Sequence, residues 1–269
     1  MAVYEMNFFS EKLGGMVSAM AILPTDGIAM HIDRIQECYE RPMKSMYLLS
    51  GFSKDEKAWL YSSPIMRYCY KYNTAAFFPS GENAFYIDDE KRMSYYEQYI
   101  GEELVNYTRK TFCAVSDKRE DTIIGGISMG GYGALYIGLR HPDIFGKILS
   151  LSPGIISYDY PENKEKLTAM GFAGPYLDHI FGNDKRMAEK ELNLEELYRN
   201  QKEKGEKLPG IFLACGSDDF VYEYSRKWNL FLQNEQADYR YCELPGGHDW
   251  EFWEKVTPEG LKWVTGICA

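Results

Sequence analysis

The chain has 269 residues with 30 Lys plus Arg against 40 Asp plus Glu, giving a formal net charge of −10. That balance argues against the phosphate backbone of nucleic acid as a partner and is read as serving solubility. The length suits one large α/β domain over residues 1–269 with a substantial core, and no apolar run is long enough to suggest a membrane span.

The six cysteines, Cys38, Cys69, Cys113, Cys215, Cys242 and Cys268, form no C-x-x-C and no Cys/His ligand spacing. They read as reduced thiols, and neither metal nor cofactor is called for. The amino-terminal dozen residues lack a basic segment, and the apolar stretch Met16 to Leu23 is short and late for a signal peptide. A cytoplasmic location is the expectation.

Tyr4, Met6 and Phe8 alternate with polar residues, and Val17, Ala19, Ala21 and Leu23 repeat the alternation before Pro24, which predicts two antiparallel strands at a sheet edge. Between Asp26 and Pro42 the pattern is ambiguous, with Ile28, Met30, Ile32 and Ile35 suggesting a strand or a bent hairpin. Met46 to Leu49 and Ala75 to Phe78 are short apolar runs ending in Ser50-Gly51-Phe52-Ser53 and Pro79-Ser80-Gly81, the form of buried central strands with a loop at the carboxyl end. Arg92 to Phe112 carries Tyr96, Ile100, Leu104 and Tyr107 at helical spacing.

After the charged turn Asp117 to Asp121 come the β-branched run Thr122 to Ile124, then Gly126-Ile127-Ser128-Met129-Gly130, then a helical segment Gly133 to Arg140 closed by His141-Pro142. This G-x-S-x-G stands in the strand, turn and helix order that a nucleophile elbow requires. Glycines two residues either side of Ser128 remove bulk where strand and helix nearly touch. The Met129 N–H, at the positive end of the helix, points where an oxyanion would form. A phosphate-binding or dinucleotide loop fits poorly, since there is no G-x-x-x-x-G-K-[ST] and Tyr136 stands where a third glycine would be needed.

Lys147 to Ser152 reads as the next strand. Residues 155–209 then form an insertion, aromatic in its first half and charge-rich and helical from Asp184 to Lys207. A cap over the site and a crossover packed to one side are equally good readings, because aromatic content alone does not place a segment. Ile211 to Cys215, a helix from about Tyr222 to Asn234, the strand Tyr239 to Leu244 and a closing helix through Trp263 complete an alternation that indicates a mainly parallel sheet covered on both faces.

Ligands in such sheets bind beyond the carboxyl ends of the strands, where Ser128, Asp218 or Asp219, and His248 all fall. Their order is that of nucleophile, acid and base in this architecture. Among four histidines, His141 sits at a helix end, His31 and His179 lie in unassigned segments, and His248 alone occupies a Gly-Gly-His loop after the last strand. Asp218 and Asp219 are adjacent and would point oppositely in extended chain, so one could face His248 and the other cap the next helix, with Glu223 a weaker third acid. Ser50, Ser53 and Ser217 read as loop hydroxyls and Cys215 as a buried thiol. Gly51 permits close approach to the elbow, making the Phe52 N–H the choice for a second oxyanion donor beside Met129.

Together the segments Leu48 to Gly51, Pro79 to Asn83, Tyr99 to Leu104, Gly126 to Ala134, His141 to Asp143, Cys215 to Phe220 and Gly246 to Trp250 resemble the esterase D-type serine esterases, and in particular the bacterial tributyrin esterases. The resemblance implies an α/β-hydrolase fold with a mostly parallel sheet, and it places the triad acid at the fifth position of C-G-x-x-D, Asp219. It implies a carboxylic ester hydrolase acting on a small-molecule or oligosaccharide ester, with short acyl chains favoured. Feruloyl or acetylxylan esterase activity is the alternative, with S-formylglutathione hydrolase, acyltransferase and non-catalytic binding module behind it. Two positions depart from the family: Ser50-Gly51 stands where tributyrin esterases carry His-Gly, and Ser53-Lys54 stands where the formylglutathione hydrolases carry a cysteine. The second departure counts against a glutathione thioester. Self-association is left open.

Overall fold

The computed structural model describes residues 1–26, 37–160, 164–181 and 192–266. The ambiguous stretch from Ile28 to Ile35, His31, Met187 and Cys268 lie outside them. An eight-stranded sheet in the order β1-β2-β4-β3-β7-β8-β9-β10 forms the frame. β1 (Ala2–Ser10) and β2 (Gly15–Leu23) pair antiparallel at one edge, and β2 pairs antiparallel with β4 (Thr74–Pro79). From β4 onward β3 (Lys44–Leu49), β7 (Thr122–Ile127), β8 (Lys147–Leu151), β9 (Gly210–Gly216) and β10 (Tyr239–Leu244) are parallel. A separate two-stranded ladder joins β5 (Asp88–Asp89) to β6 (Ser94–Tyr95).

Continuous apolar runs suit central strands because both faces are covered. Alternation then sorts the side chains: Tyr47, Leu49, Ile124 and Leu213 enter one core layer, while Met46, Leu48, Ile123 and Phe212 enter the other. The helices, in chain order, are α1 (Ala58–Ser62), α2 (Ile65–Tyr72), α3 (Tyr96–Gln98), α4 (Val105–Thr111), α5 (Met129–Arg140), α6 (Lys164–Ala169), α7 (Gly174–Phe181), α8 (Leu194–Glu203), α9 (Tyr222–Asn234) and α10 (Trp250–Thr265). α5 and α9 contribute to the first layer, α2 and α10 to the second.

The helix expected over Arg92 to Phe112 begins at Tyr96, because Ser94 and Tyr95 are taken by β6, and Tyr99–Leu104 adopts π-helical geometry between α3 and α4. The bulge brings Gly101 against His141: a Cβ on Gly101 would stand 2.5 Å from the ring. His141 in turn hydrogen-bonds the buried Glu97 carboxylate, which also pairs with Arg140 at 3.3 Å. Burial raises the Glu97 carboxyl, but the His141 bond and the Arg140 charge outweigh it and hold the group below its ordinary value.

The described parts of the 155–209 insertion pack in two places. Its first part packs Phe172 and Tyr176 on Phe52 at the carboxyl end of the sheet, while α8 packs beside α5, where Gln201 donates to the Leu139 carbonyl.

Candidate active site

Ser128 alone stands between the end of β7 and the start of α5. Ser128 has φ +56° and ψ −119°, a conformation L-residues rarely take and one that costs about 1–3 kcal/mol. Surrounding contacts hold it: the Ser128 N–H donates to the Leu151 carbonyl at 2.9 Å, and its own carbonyl accepts from Tyr132 and Gly154. The flanking glycines are required by space. A Cβ on Gly126 would fall 2.9 Å from the Leu49 oxygen, and one on Gly130 would fall 2.5 Å from the Leu49 carbonyl carbon.

The Asp219 side chain is inaccessible to solvent, whereas Asp218 is exposed. Asp219 accepts from His248 Nδ1 at 2.8 and 2.9 Å and from the Val221 N–H at 3.0 Å. The expectation that the second aspartate caps the following helix does not hold: α9 starts at Tyr222 with Val221 at its N-cap and no side-chain cap, and Asp219 supplies the only carboxylate oxygen at that turn among the described hydrogen bonds. With a carboxylate at Nδ1, that nitrogen carries the proton, so His248 Nε2 is left to accept from Ser128 Oγ at 2.8 Å.

The loop bearing His248 is fixed by close backbone contact. Gly246 has φ +155°, and a Cβ on Gly216 would lie 2.7 Å from the Gly246 carbonyl carbon. Asp249 accepts from Phe252 N–H at 2.9 Å and so caps α10 immediately after the histidine. The imidazole lies between Phe220, with ring centroids 4.3 Å apart, and Trp253, edge-on at 5.2 Å. Cys215 ends inside β9, where burial first and the Asp219 charge second push its thiol up to about 12, which suits an inert thiol.

Gly51 reaches the elbow, since a Cβ there would contact Ser128 Cβ at 3.4 Å. Met129 opens α5, and Phe52 follows Gly51 in the loop after β3. Both candidate donors are backbone groups, Met129 next to Ser128 in the chain and Phe52 next to the Gly51 that approaches it. Sequence reasoning missed the loop after β4. Asn83 Oδ1 accepts from the Ser53 N–H at 2.6 Å, Tyr86 donates to the Ser50 carbonyl at 2.9 Å, and Tyr176 donates to the Asn83 carbonyl at 2.5 Å. Its visible signals were position, a turn at the carboxyl end of a buried strand, and the family resemblance of Pro79 to Asn83, neither of which gave Asn83 a role.

The remaining described histidines are engaged elsewhere, His141 with Glu97 and His179 with Asp89 at 2.8 Å. Among the described residues no group of three or more His, Cys, Asp or Glu side chains is arranged to hold a metal ion, and no helix is long and apolar enough to cross a membrane.

An eight-stranded sheet, parallel from β4 to β10, with a serine on a strained strand-to-helix turn defines an α/β-hydrolase-type esterase. Comparison with known proteins agrees: residues 37–264 match the Esterase family model, and the chain belongs to that family as a carboxylic ester hydrolase. An acetyl esterase of Caldicellulosiruptor saccharolyticus is 34% identical over 267 residues, covering 99% of each chain. A fluorophosphonate-binding serine hydrolase of Staphylococcus aureus, solved with substrate bound, superposes with a TM-score of 0.83 at 25% identity, covering 98% of each chain. An S-formylglutathione hydrolase from the same organism gives a TM-score of 0.81 at 26% identity, again over 98% of each chain.

Proposed function

We propose that the protein is a serine esterase that hydrolyses short-chain acyl esters, acetyl esters first among them, through a covalent acyl-enzyme. Ser128 attacks the ester carbonyl while His248 takes its proton, and Asp219 holds His248 in the required tautomer and stabilises the imidazolium. The Phe52 and Met129 amides receive the oxyanion. His248 then returns the proton to the departing alcohol, and water repeats the sequence to release the acid. One observation carries the reading: a single imidazole spans Ser128 Oγ at 2.8 Å and Asp219 at 2.8 Å, each on a different loop at the same sheet edge.

The acyl preference rests on the 34% identical acetyl esterase and on the rings of Phe52, Phe172 and Tyr176, which crowd the space beside the elbow. Those rings also suit a hydroxycinnamoyl group, which supports feruloyl ester cleavage as the second reading. In this reading residues 1–269 act as one domain, with Phe172 and Tyr176 of the 155–209 insertion covering the site. The thiols of Cys69, Cys113, Cys215 and Cys242 suit a reducing compartment such as the cytoplasm.

The test compares p-nitrophenyl acetate, butyrate and octanoate, then tributyrin, methyl ferulate and acetylated xylo-oligosaccharides, on wild type and Ser128→Ala. Turnover should fall with chain length and drop about 10⁶-fold in the variant. A Ser128→Ala enzyme that keeps most of its turnover would refute the mechanism, and methyl ferulate as the best substrate would favour the second reading.

A further inference from the structure

We infer that Asn83 is a positioning residue for the oxyanion-binding loop, and that Tyr176 links the segment covering the site to that loop through Asn83. This rests on the catalytic reading above, in which the Phe52 amide is an oxyanion donor.

The loop Gly51-Phe52-Ser53 has to present a backbone N–H within hydrogen-bond reach of an oxygen that exists only during reaction. A backbone donor is aimed by the turn that carries it, and here the residue that follows Phe52 has an unusual conformation. Ser53 has φ +61°, in the left-handed region, and the Lys54 N–H closes the turn onto the Gly51 carbonyl at 3.3 Å. Serine has no intrinsic preference for that conformation, so something outside the turn must hold it. The group that does so is the Asn83 Oδ1, which accepts the Ser53 N–H at 2.6 Å.

The loop carrying Asn83 is itself strained. Glu82, Asn83, Phe85 and Tyr86 all have positive φ, at 41°, 58°, 50° and 57°. Four such residues within five positions persist only when neighbouring contacts over-determine them, and such strain gathers where geometry has a task. Tyr86 supplies the anchor. Its ring occupies the space beside Gly81 and Gly133, where a Cβ on either would stand 2.5 Å away, and its hydroxyl donates to the Ser50 carbonyl at 2.9 Å. The oxyanion loop is thus tied at Ser50 by Tyr86 and at Ser53 by Asn83, on both sides of Phe52.

Tyr176 completes the link. It donates to the Asn83 carbonyl at 2.5 Å, while its ring and that of Phe172 meet Phe52 edge-on at 5.6 and 5.3 Å. A substrate that displaces Phe172 or Tyr176 therefore acts on the Phe52 amide by two routes, the ring contact and the Asn83 bond. Occupation of the pocket and readiness of the oxyanion donor become coupled.

Two variants separate the acceptor from the backbone. Asn83→Gly keeps the positive φ without strain but removes Oδ1, whereas Asn83→Asp keeps an acceptor oxygen at the same reach and a residue tolerant of this conformation. For p-nitrophenyl acetate, Asn83→Gly should lower kcat about 10-fold or more at a KM within about twofold, and weaken a trifluoromethyl ketone inhibitor by the same factor, because both need the oxyanion donor. Asn83→Asp should recover most of the loss. Wild-type kcat and inhibitor affinity in Asn83→Gly, or an Asn83→Asp as impaired as Asn83→Gly, would overturn the assignment. Should Asn83→Gly fail to fold, Tyr176→Phe carries the test: it keeps the ring packing and should lower kcat about fivefold at unchanged KM. An unchanged kcat there overturns the link. Ser128→Ala run alongside distinguishes the two readings: if it stays active the catalytic assignment falls, and if it is inactive while Asn83→Gly is wild type only the positioning role falls.

Discussion

Gly130→Ala tests how tightly the elbow is pressed against the strand beside it. The added Cβ would lie 2.5 Å from the Leu49 carbonyl carbon and 2.7 Å from the Ser50 oxygen, and both partners are backbone. Carbon atoms settle about 3.5 Å or more apart, so either α5 or the end of β3 must retreat by about 1 Å. Overpacking of this kind costs about 1–3 kcal/mol. At about 2–4 °C per kcal/mol in a chain near this size, Tm should fall by about 2–12 °C. The larger effect is expected in turnover, because β3 leads directly into Gly51 and Phe52. A misplacement of about 1 Å between Ser128 and the oxyanion donor should reduce kcat/KM about 100-fold. The assay is thermal unfolding by circular dichroism with kcat/KM on p-nitrophenyl acetate. Gly154→Ala is the stability control, since a Cβ there meets nothing nearer than 3.5 Å. A Gly130→Ala protein with parental Tm and kcat/KM within about threefold would refute the claim that this contact sets the site.

Asp219→Asn should lose about 10⁴-fold in kcat, while Asp218→Asn, at an exposed position, should stay within about twofold; equal losses would refute the choice of acid. Glu97 has a depressed pKa, so it contributes stability above its unfolded value near 4.5, and that contribution is lost as pH falls through the lower folded value. Glu97→Gln should therefore cost about 1–3 kcal/mol at pH 7, and its deficit should shrink below pH 4.5; a deficit constant down to pH 3 in urea melts would contradict this. Gly101→Ala, driven against the His141 ring that bonds Glu97, should cost about 1–3 kcal/mol in the same melts. Iodoacetamide at pH 8 should label the exposed Cys113 in the native protein and leave the buried Cys215 unmodified until denaturant is added, as peptide mass mapping would read directly.

Much of the frame was legible because central strands and their loops carry local signals. The run Met46 to Leu49, the G-x-S-x-G turn and the Tyr239 to Leu244 strand all state their role within a few residues, and the observed bounds differ from the expected ones by little. The choice between Asp218 and Asp219 was not legible from spacing. Strand alternation no longer applies there, because the chain turns at Gly216 and the Gly246 crossing decides which carboxylate is enclosed. The π-helical stretch Tyr99–Leu104 was equally hidden, since its own residues suit an ordinary helix and the His141 ring it meets comes from a distant part of the chain. Asn83 escaped notice for a similar reason. A polar residue in a turn looks like any other until the partner it holds, Ser53, is brought next to it by two different strands.

The loops of this sheet divide their labour. Ser128, Asp219 and His248 follow β7, β9 and β10, whereas Phe52, Phe172 and Tyr176, the rings beside them, follow β3 and β8. The Phe52 amide does not depend on which side chain its own residue carries. Exchanges at 52 and 172 can therefore reshape the pocket proposed for the acyl group while Ser128, His248 and Asp219 keep their spacing and Tyr176 keeps its bond to Asn83. A mutant library confined to those two positions would sample new substrates while leaving the tie between Tyr176 and Asn83 in place.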